Sequence, residues 1–112
     1  MVTPDPLEAF AALDVRVGRV VRAEPNEGAR KPAIKLWIDF GPLGEKRSSA
    51  QLAALYTPEQ LVGRLVVAAV NLGVRRVNGF ASEVLVLGVP DEEGRVVLLT
   101  PDRDVPLGGR MF

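Results

Sequence analysis

Two apolar runs, residues 65–70 and 84–89, flank a polar segment that contains the pair Asn78 and Gly79. Runs of branched and small apolar residues without a helical period are typical of buried strands. Asparagine followed by glycine supplies the positive φ angles that a tight reversal of the chain needs. The sequence therefore predicts two buried strands joined by a loop that carries Arg75 and Arg76. A charged loop held by rigid strands is better suited to binding than to chemistry.

Elsewhere the apolar residues recur with a period of two, which indicates half-buried strands. One such strand begins at residue 13 and contains Gly18, where a long strand can bend around a barrel. A second covers residues 33–40, and shorter strands are expected at residues 47–50 and 95–100. The alternation assigns one set of side chains to the core: Leu13, Val15, Val17, Val21, Ala23, Ile34, Leu36, Ile38 and Phe40. It places Lys35, Trp37 and Asp39 on the opposite face.

Two short helices are predicted from their capping residues. Asp5 before Pro6 favours a helix start near the N-terminus, and Thr57, Pro58 and Gln60 have the spacing of a capping box. Five strands with a helix between the third and the fourth are typical of an OB-fold barrel. We therefore expect an all-β protein with one domain over residues 1–112, whose N-terminal helix (1–12) and C-terminal strand extension (90–112) lie outside the five-stranded barrel.

Composition narrows the classes of function. The chain has no histidine and no cysteine, so the usual general base, the commonest metal ligands and thiol nucleophiles are all missing. No nucleophile, base and orienting group occur together, and no glycine-rich phosphate loop is present. We expect no enzyme activity, no catalytic residues, no metal and no cofactor. The N-terminal residues do not resemble a signal peptide and no long apolar segment occurs, so a soluble cytoplasmic protein without membrane insertion is expected.

The charges are balanced overall but unevenly distributed. The net charge is zero, yet residues 14–47 carry eight basic side chains against five acidic ones. Such a distribution permits one basic face, but it lacks the overall positive charge of a strong nucleic-acid binder.

Several motifs occur in an order and spacing that is familiar: DVRVGRV (14–20), KPAIKL (31–36), SSAQ (48–51), YTPEQLVG (56–63) and SEVLVLG (82–88), with Asn71 and the two arginines between the last two. Together they resemble the tRNA-binding-domain family of OB folds, and within it the CsaA-type export-related chaperones. The resemblance implies a homodimer formed through the N-terminal helix and the C-terminal extension. It also implies binding to unfolded or precursor polypeptides, with tRNA binding as the alternative.

On the OB-fold template, the ligand surface comprises the face of the second and third strands and the adjoining loops. The residues expected to bind a polypeptide are Trp37, Ser49, Gln51, Arg75, Arg76 and Phe80. The residues expected to bind RNA are Lys31, Lys35, Asn71, Arg75, Arg76 and Ser82.

Structural roles remain open for several of these residues. Trp37 is either a wall of the ligand site or covered by the N-terminal helix or a partner subunit. Phe80 either lines a cleft or closes one end of the barrel. Asn71 and Ser82 are also suited to holding the shape of the arginine-bearing loop, and the serines of residues 48–51 to satisfying backbone groups.

Overall fold

A computed structural model describes residues 5–28 and 31–112. The helices are α1 (Pro6–Ala12) and α2 (Pro58–Leu61), and a 3₁₀ turn covers Gly41–Leu43. The strands are β1 (Val15–Pro25), β2 (Ile34–Asp39), β3 (Glu45–Ala50), β4 (Leu65–Ala69), β5 (Arg75–Val77), β6 (Phe80–Ser82), β7 (Leu85–Val86), β8 (Gly88–Pro90) and β9 (Val96–Leu98). The main element is a five-stranded antiparallel sheet in the order β3-β2-β1-β4-β7, accompanied by two hairpins, β5-β6 and β8-β9.

The sheet curls until its edges nearly meet. The carbonyl of Arg47 in β3 accepts hydrogen bonds from the backbone N–H groups of Glu83 at 2.7 Å and Val84 at 3.3 Å. The hydroxyl of Ser48 donates to the carbonyl of Val84 at 2.9 Å. These bonds join the β3 edge to the segment that leads into β7, so the predicted five-stranded OB-fold barrel is confirmed.

Strand β2 fills the barrel as its alternation predicted. Ile34, Leu36, Ile38 and Phe40 are all buried, while the intervening Lys35, Trp37 and Asp39 lie on the other face. Helix α2 places the buried Leu61 against this core. Its capping box is present as expected, since Gln60 N–H donates to the Thr57 hydroxyl and the Gln60 side chain accepts from Thr57 N–H.

Strand β1 departs from the predicted alternation. A bulge at Val21 shifts the register between Val20, which pairs with Ile38, and Arg22, which pairs with Trp37. Val20, just ahead of the bulge, packs in the core, so its neighbour Val21 lies on the opposite face and is 43% exposed. The assignment of Val21 to the core was therefore wrong, because the even-numbered side of β1, and not the more apolar odd-numbered side, faces the core ahead of the bulge.

The segment between the two apolar runs is more ordered than a loop. Arg75 and Arg76 lie in β5, which pairs with β6 through a two-residue turn at Asn78 (φ 50°) and Gly79 (φ 79°). The predicted tight reversal is confirmed, but it joins this short hairpin rather than the apolar runs themselves. The second apolar run is also divided, since β7 pairs with β4 and β8 pairs with β9.

The N-terminal helix lies outside the barrel, as predicted. All of its side chains are exposed, including those of Leu7 and Phe10. Asp5 occupies the N-cap position, but its side chain makes no capping hydrogen bond. None of the helices within residues 5–28 and 31–112 has the length and apolar character required to cross a membrane.

Candidate functional site

A cleft of about 440 Å³ opens between β3, the β5-β6 hairpin and β7. Its walls are mainly aliphatic, and its polar groups come from a few serine, glutamine and cationic side chains. The lining residues are Lys31, Ala33, Ser49, Ala50, Gln51, Leu52, Leu72, Gly73, Arg75, Val77, Ser82, Val84, Leu85, Val86 and Val96.

The cleft exists because the β5-β6 hairpin is fastened over the barrel by hydrogen bonds. The buried side chain of Asn26 donates from Nδ2 to the Ser49 hydroxyl at 2.9 Å and to the Val77 carbonyl at 3.2 Å. Ser49 N–H in turn donates to the Ser82 hydroxyl at 3.0 Å. Asn78, in the hairpin turn, donates to the Glu27 carbonyl. These contacts set the distance between β3 and the hairpin, and so determine the width of the cleft.

Five of the predicted site residues line this cleft: Lys31, Ser49, Gln51, Arg75 and Ser82. The hydroxyls of Ser49 and Ser82 already take part in the bonds that fasten the hairpin. In the part of the chain that the structure describes, the side chains of Lys31, Gln51 and Arg75 form no hydrogen bond or ion pair. These three polar groups are therefore available to a ligand.

Trp37 and Phe80, expected to form the apolar part of the site, lie outside this cleft and cover each other. The two rings meet edge to face with centroids 5.3 Å apart. The guanidinium carbon of Arg22 stands 4.2 Å from the centre of the Trp37 ring, and the charged groups of Lys35 and Arg47 each stand 5.3 Å from the Phe80 ring. This cluster, the aromatic–cation cluster, occupies the outer face of β1, β2 and β3.

Arg76 and Asn71 also lie apart from the cleft lining. Successive side chains of a strand point to opposite faces, so Arg76 is directed away from the side that Arg75 shares with the cleft. The Asn71 side chain joins α1 to the barrel, since its Nδ2 donates to the Ala12 carbonyl at 2.8 Å and its Oδ1 accepts from Asp14 N–H at 2.9 Å. The residues that the template placed on one surface are thus divided among four places: the cleft, the aromatic–cation cluster, the junction with α1 and the far side of the hairpin.

An ion-pair group ties the C-terminal segment to the same end of the barrel. Asp14 accepts from Arg16 Nε at 2.6 Å, and Arg110 Nε lies 3.6 Å from the same carboxylate. The hydrogen bond from Arg16 lowers the pKa of Asp14 below its ordinary value; burial opposes this, and the charges of Arg16 and Arg110 lower the pKa further. Arg110 also donates to the carbonyl of Ala11 at the end of α1.

Sequence reasoning missed the residues that shape the site. Asn26, Arg22 and Arg47 were not among the residues predicted to belong to a site. An asparagine after a long strand was the one available signal for Asn26, because such residues often satisfy turn backbone groups. Its contacts with Ser49 and Val77 connect residues that are distant in the chain. Local patterns carry no information about such pairings.

Comparison with known proteins relates this arrangement to two groups. A family model described as "Putative tRNA binding domain" matches residues 15–110. The methionine–tRNA ligase of Methanothrix thermoacetophila is 43% identical over 104 residues, which are 92% of this chain and 15% of that protein. The chain thus spans only about a seventh of the length of such synthetases.

Two solved structures match from end to end. One is the chaperone CsaA from Bacillus anthracis, with 50% identity and a TM-score of 0.91, covering 98% of this chain and 100% of the other. The other is the CsaA chaperone protein from Picrophilus torridus, with 39% identity, a TM-score of 0.87 and complete coverage of both chains. The resemblance to this family noted in the motifs is confirmed.

Proposed function

Because this chain belongs to the tRNA-binding domain family, we propose that it is a non-catalytic binding protein that holds exposed segments of unfolded or precursor polypeptides, as an export-related chaperone would. The single observation that carries the proposal is the cleft between β3, the hairpin and β7. Its aliphatic walls suit the side chains of an extended chain, and its polar groups at Lys31, Gln51 and Arg75 suit backbone carbonyls or carboxylates. We place this activity in the cytoplasm.

The end-to-end match with two CsaA chaperones supports the proposal further. Both of those chains are covered completely by this one, whereas the matching synthetases are several times longer. Binding should be weak, with a Kd in the micromolar range or above, about 8 kcal/mol or less, because an extended chain loses conformational freedom on binding.

We also propose that the functional form is a homodimer assembled through α1 and the C-terminal extension. Leu7, Phe10 and Phe112 expose large apolar side chains in these two segments. Apolar surface of this kind is commonly buried in a symmetric interface. Two clefts on one dimer would bind a single extended chain more tightly than one cleft does. Sizing by light scattering at micromolar concentration tests this, and a monomer would contradict it.

A matched pair of variants tests the role of the cleft. Leu85 lines it and is 51% exposed, whereas Val62, at the end of α2, is 49% exposed and does not line it. Leu85→Asp should weaken binding of a labelled, reduced and unfolded polypeptide at least tenfold, because it places a charge against the apolar ligand. Val62→Asp should bind like the unchanged protein. Fluorescence anisotropy measures both, and equal binding by the two variants would contradict the proposed site.

Binding to tRNA is the second candidate, and it is favoured by the family match together with the aromatic–cation cluster. Arg22, Lys35 and Arg47 stand on one face of the barrel, and Arg76 extends from the hairpin. Contacts between these side chains and phosphates would release counterions, so tRNA binding should fall steeply as salt is added. Binding of an apolar polypeptide should persist in salt.

A double variant, Arg75→Ala with Arg76→Ala, distinguishes the two candidate functions, polypeptide binding and tRNA binding. The double variant should weaken tRNA binding much more than polypeptide binding, because it removes two cations from the basic surface while the aliphatic walls of the cleft remain. Titrations with bulk tRNA and with unfolded polypeptide, each at low and high salt, make the comparison. If tRNA alone binds, the RNA-binding function replaces the chaperone function.

A further inference from the structure

We propose that the cleft selects polypeptide segments in which an aliphatic side chain lies within one or two residues of a carboxylate, and that it discriminates against segments with a basic flank. This inference rests on the proposed function, because it names the class of polypeptide that the same cleft would take.

The charges that line the cleft are all of one sign. Lys31 and Arg75 contribute positive charge, and the lining contains no aspartate or glutamate. Within residues 5–28 and 31–112, neither cation forms an ion pair with a carboxylate of the chain. Both side chains are exposed, so they can adjust their position to an approaching anion. A ligand would meet two uncompensated positive charges at the entrance.

The acidic residue nearest in sequence to the cleft lining is neutralised elsewhere. Glu83 lies between the lining residues Ser82 and Val84, but its carboxylate accepts from Arg47 N–H at 3.0 Å and from Arg47 Nε at 3.5 Å. That contact directs Glu83 toward the aromatic–cation cluster and away from Lys31 and Arg75. The positive charge in the cleft is therefore not offset by the one carboxylate that adjoins its wall.

The position of the apolar wall relative to the two cations determines where an aliphatic side chain and a carboxylate must lie along the bound polypeptide. Ala33, Leu52 and Val84 are buried and form the inner wall. A chain that inserts an aliphatic side chain against this wall brings its neighbouring residues to the rim, where the two cations stand. Apolar walls strengthen the interaction with a carboxylate there, and the planar guanidinium of Arg75 can bind both of its oxygens at once. A lysine or arginine in the same place would be repelled.

Three labelled peptides test the inference directly. They share one leucine-containing core and differ only in whether the two flanking residues are glutamate, glutamine or lysine. Fluorescence anisotropy with the unmodified full-length protein should give a Kd for the glutamate peptide about tenfold lower than for the lysine peptide, a difference of about 1.4 kcal/mol. The glutamine peptide should lie between them. The difference should shrink as salt is added, because the cations are exposed.

Charge reversal in the cleft should reverse this preference. Lys31→Glu combined with Arg75→Glu should bind the lysine peptide more tightly than the glutamate peptide. The matched control is Arg64→Glu combined with Arg103→Glu, which makes the same change in net charge. Because Arg64 and Arg103 are both exposed and do not line the cleft, this control should keep the original order. Circular dichroism checks that both variants are folded.

The outcomes distinguish failure of the inference from failure of the function. If the three peptides bind the unmodified protein equally well, the charge selectivity is wrong while polypeptide binding stands. If both charge variants change the order of peptide affinities in the same way, the net charge of the protein determines the preference. The cleft then does not determine it, and the inference is overturned. If no peptide binds but tRNA binds and is lost in the cleft variant, the cations contact phosphates, and both the inference and the chaperone function fail.

Discussion

Phe80 of the hairpin presents its ring edge to face against Trp37 of β2, with centroids 5.3 Å and planes 71° apart. This pair lies on the outside of the barrel. The guanidinium carbon of Arg22 lies 4.2 Å from the centre of the Trp37 ring. Trp37 is therefore covered within the same chain by a hairpin side chain and by a side chain of the neighbouring strand β1. The contact fixes the hairpin that also forms one wall of the cleft.

Phe80→Ala should loosen the hairpin. Phe80 is buried, so its truncation should lower the free energy of unfolding by about 3 kcal/mol, part of it from the lost aromatic contact. Because Trp37 is the only tryptophan, its emission should shift to longer wavelength as the indole becomes hydrated. Urea denaturation followed by fluorescence measures both effects. An unchanged emission maximum would show that Phe80 does not shield Trp37.

Asn26→Ala should destabilise the protein and weaken the cleft together. It removes both bonds from Asn26 Nδ2, to the Ser49 hydroxyl and to the Val77 carbonyl, and leaves those partners partly buried. We expect a loss of about 2 kcal/mol in the free energy of unfolding. Amide hydrogen exchange should rise in β5 and β6 while β4 keeps its protection. Uniformly faster exchange across all strands would contradict a role confined to the hairpin.

Gly18→Ala should be costly because β1 passes close over the core at this residue. A Cβ there would lie 2.5 Å from Ile38 Cγ2 and 2.8 Å from Phe40 Cε1, both in a packed interior. We expect a loss of about 2 kcal/mol or more, as for other overpacked cores. Gly109→Ala serves as the control, since its nearest neighbour would be the Pro106 carbonyl at 3.3 Å. Equal stability of the two variants in thermal unfolding would show that β1 can shift to accommodate the methyl group.

Asp14→Asn should reduce stability at neutral pH but not in acid. The pKa of Asp14 is lowered in the folded protein, first by the hydrogen bond from Arg16, so the unfolded chain binds the proton more readily. This contribution is present above the ordinary carboxyl pKa and is lost as pH falls through the lower, folded value. After allowance for solvent screening, we expect a loss of about 1 kcal/mol at pH 7.

The difference between Asp14→Asn and the unchanged protein should shrink as pH falls through the lowered pKa of folded Asp14, and disappear once the carboxylate is protonated in both states. Asp102→Asn is the control, because the ion pair of Asp102 with Arg103 is almost fully exposed and should contribute nothing measurable. Denaturation curves at a series of pH values provide the test. A difference that persists unchanged in acid would point to packing and not to the charge.

Most of the barrel could be predicted from the sequence because its signals are local. The alternation of Ile34, Leu36 and Ile38 identified the buried face of β2, and Thr57 with Gln60 identified the start of α2. Asn78 and Gly79 identified the reversal, since few other residues accept positive φ angles. The bulge at Val21 could not be foreseen, because an extra residue in a strand is defined by its partner strand.

The sequence by itself determined most strands of the barrel, the core face of β2, the tight turn and the family to which the chain belongs. Only the tertiary structure decided which outward-facing residues share a site. It placed Lys31, Ser49, Gln51, Arg75 and Ser82 around one cleft and packed Trp37 against Phe80 elsewhere. The reason is physical: periodicity reports which side of a strand a residue occupies, whereas the meeting of two surfaces depends on long-range bonds such as those of Asn26, which fold the hairpin over the barrel.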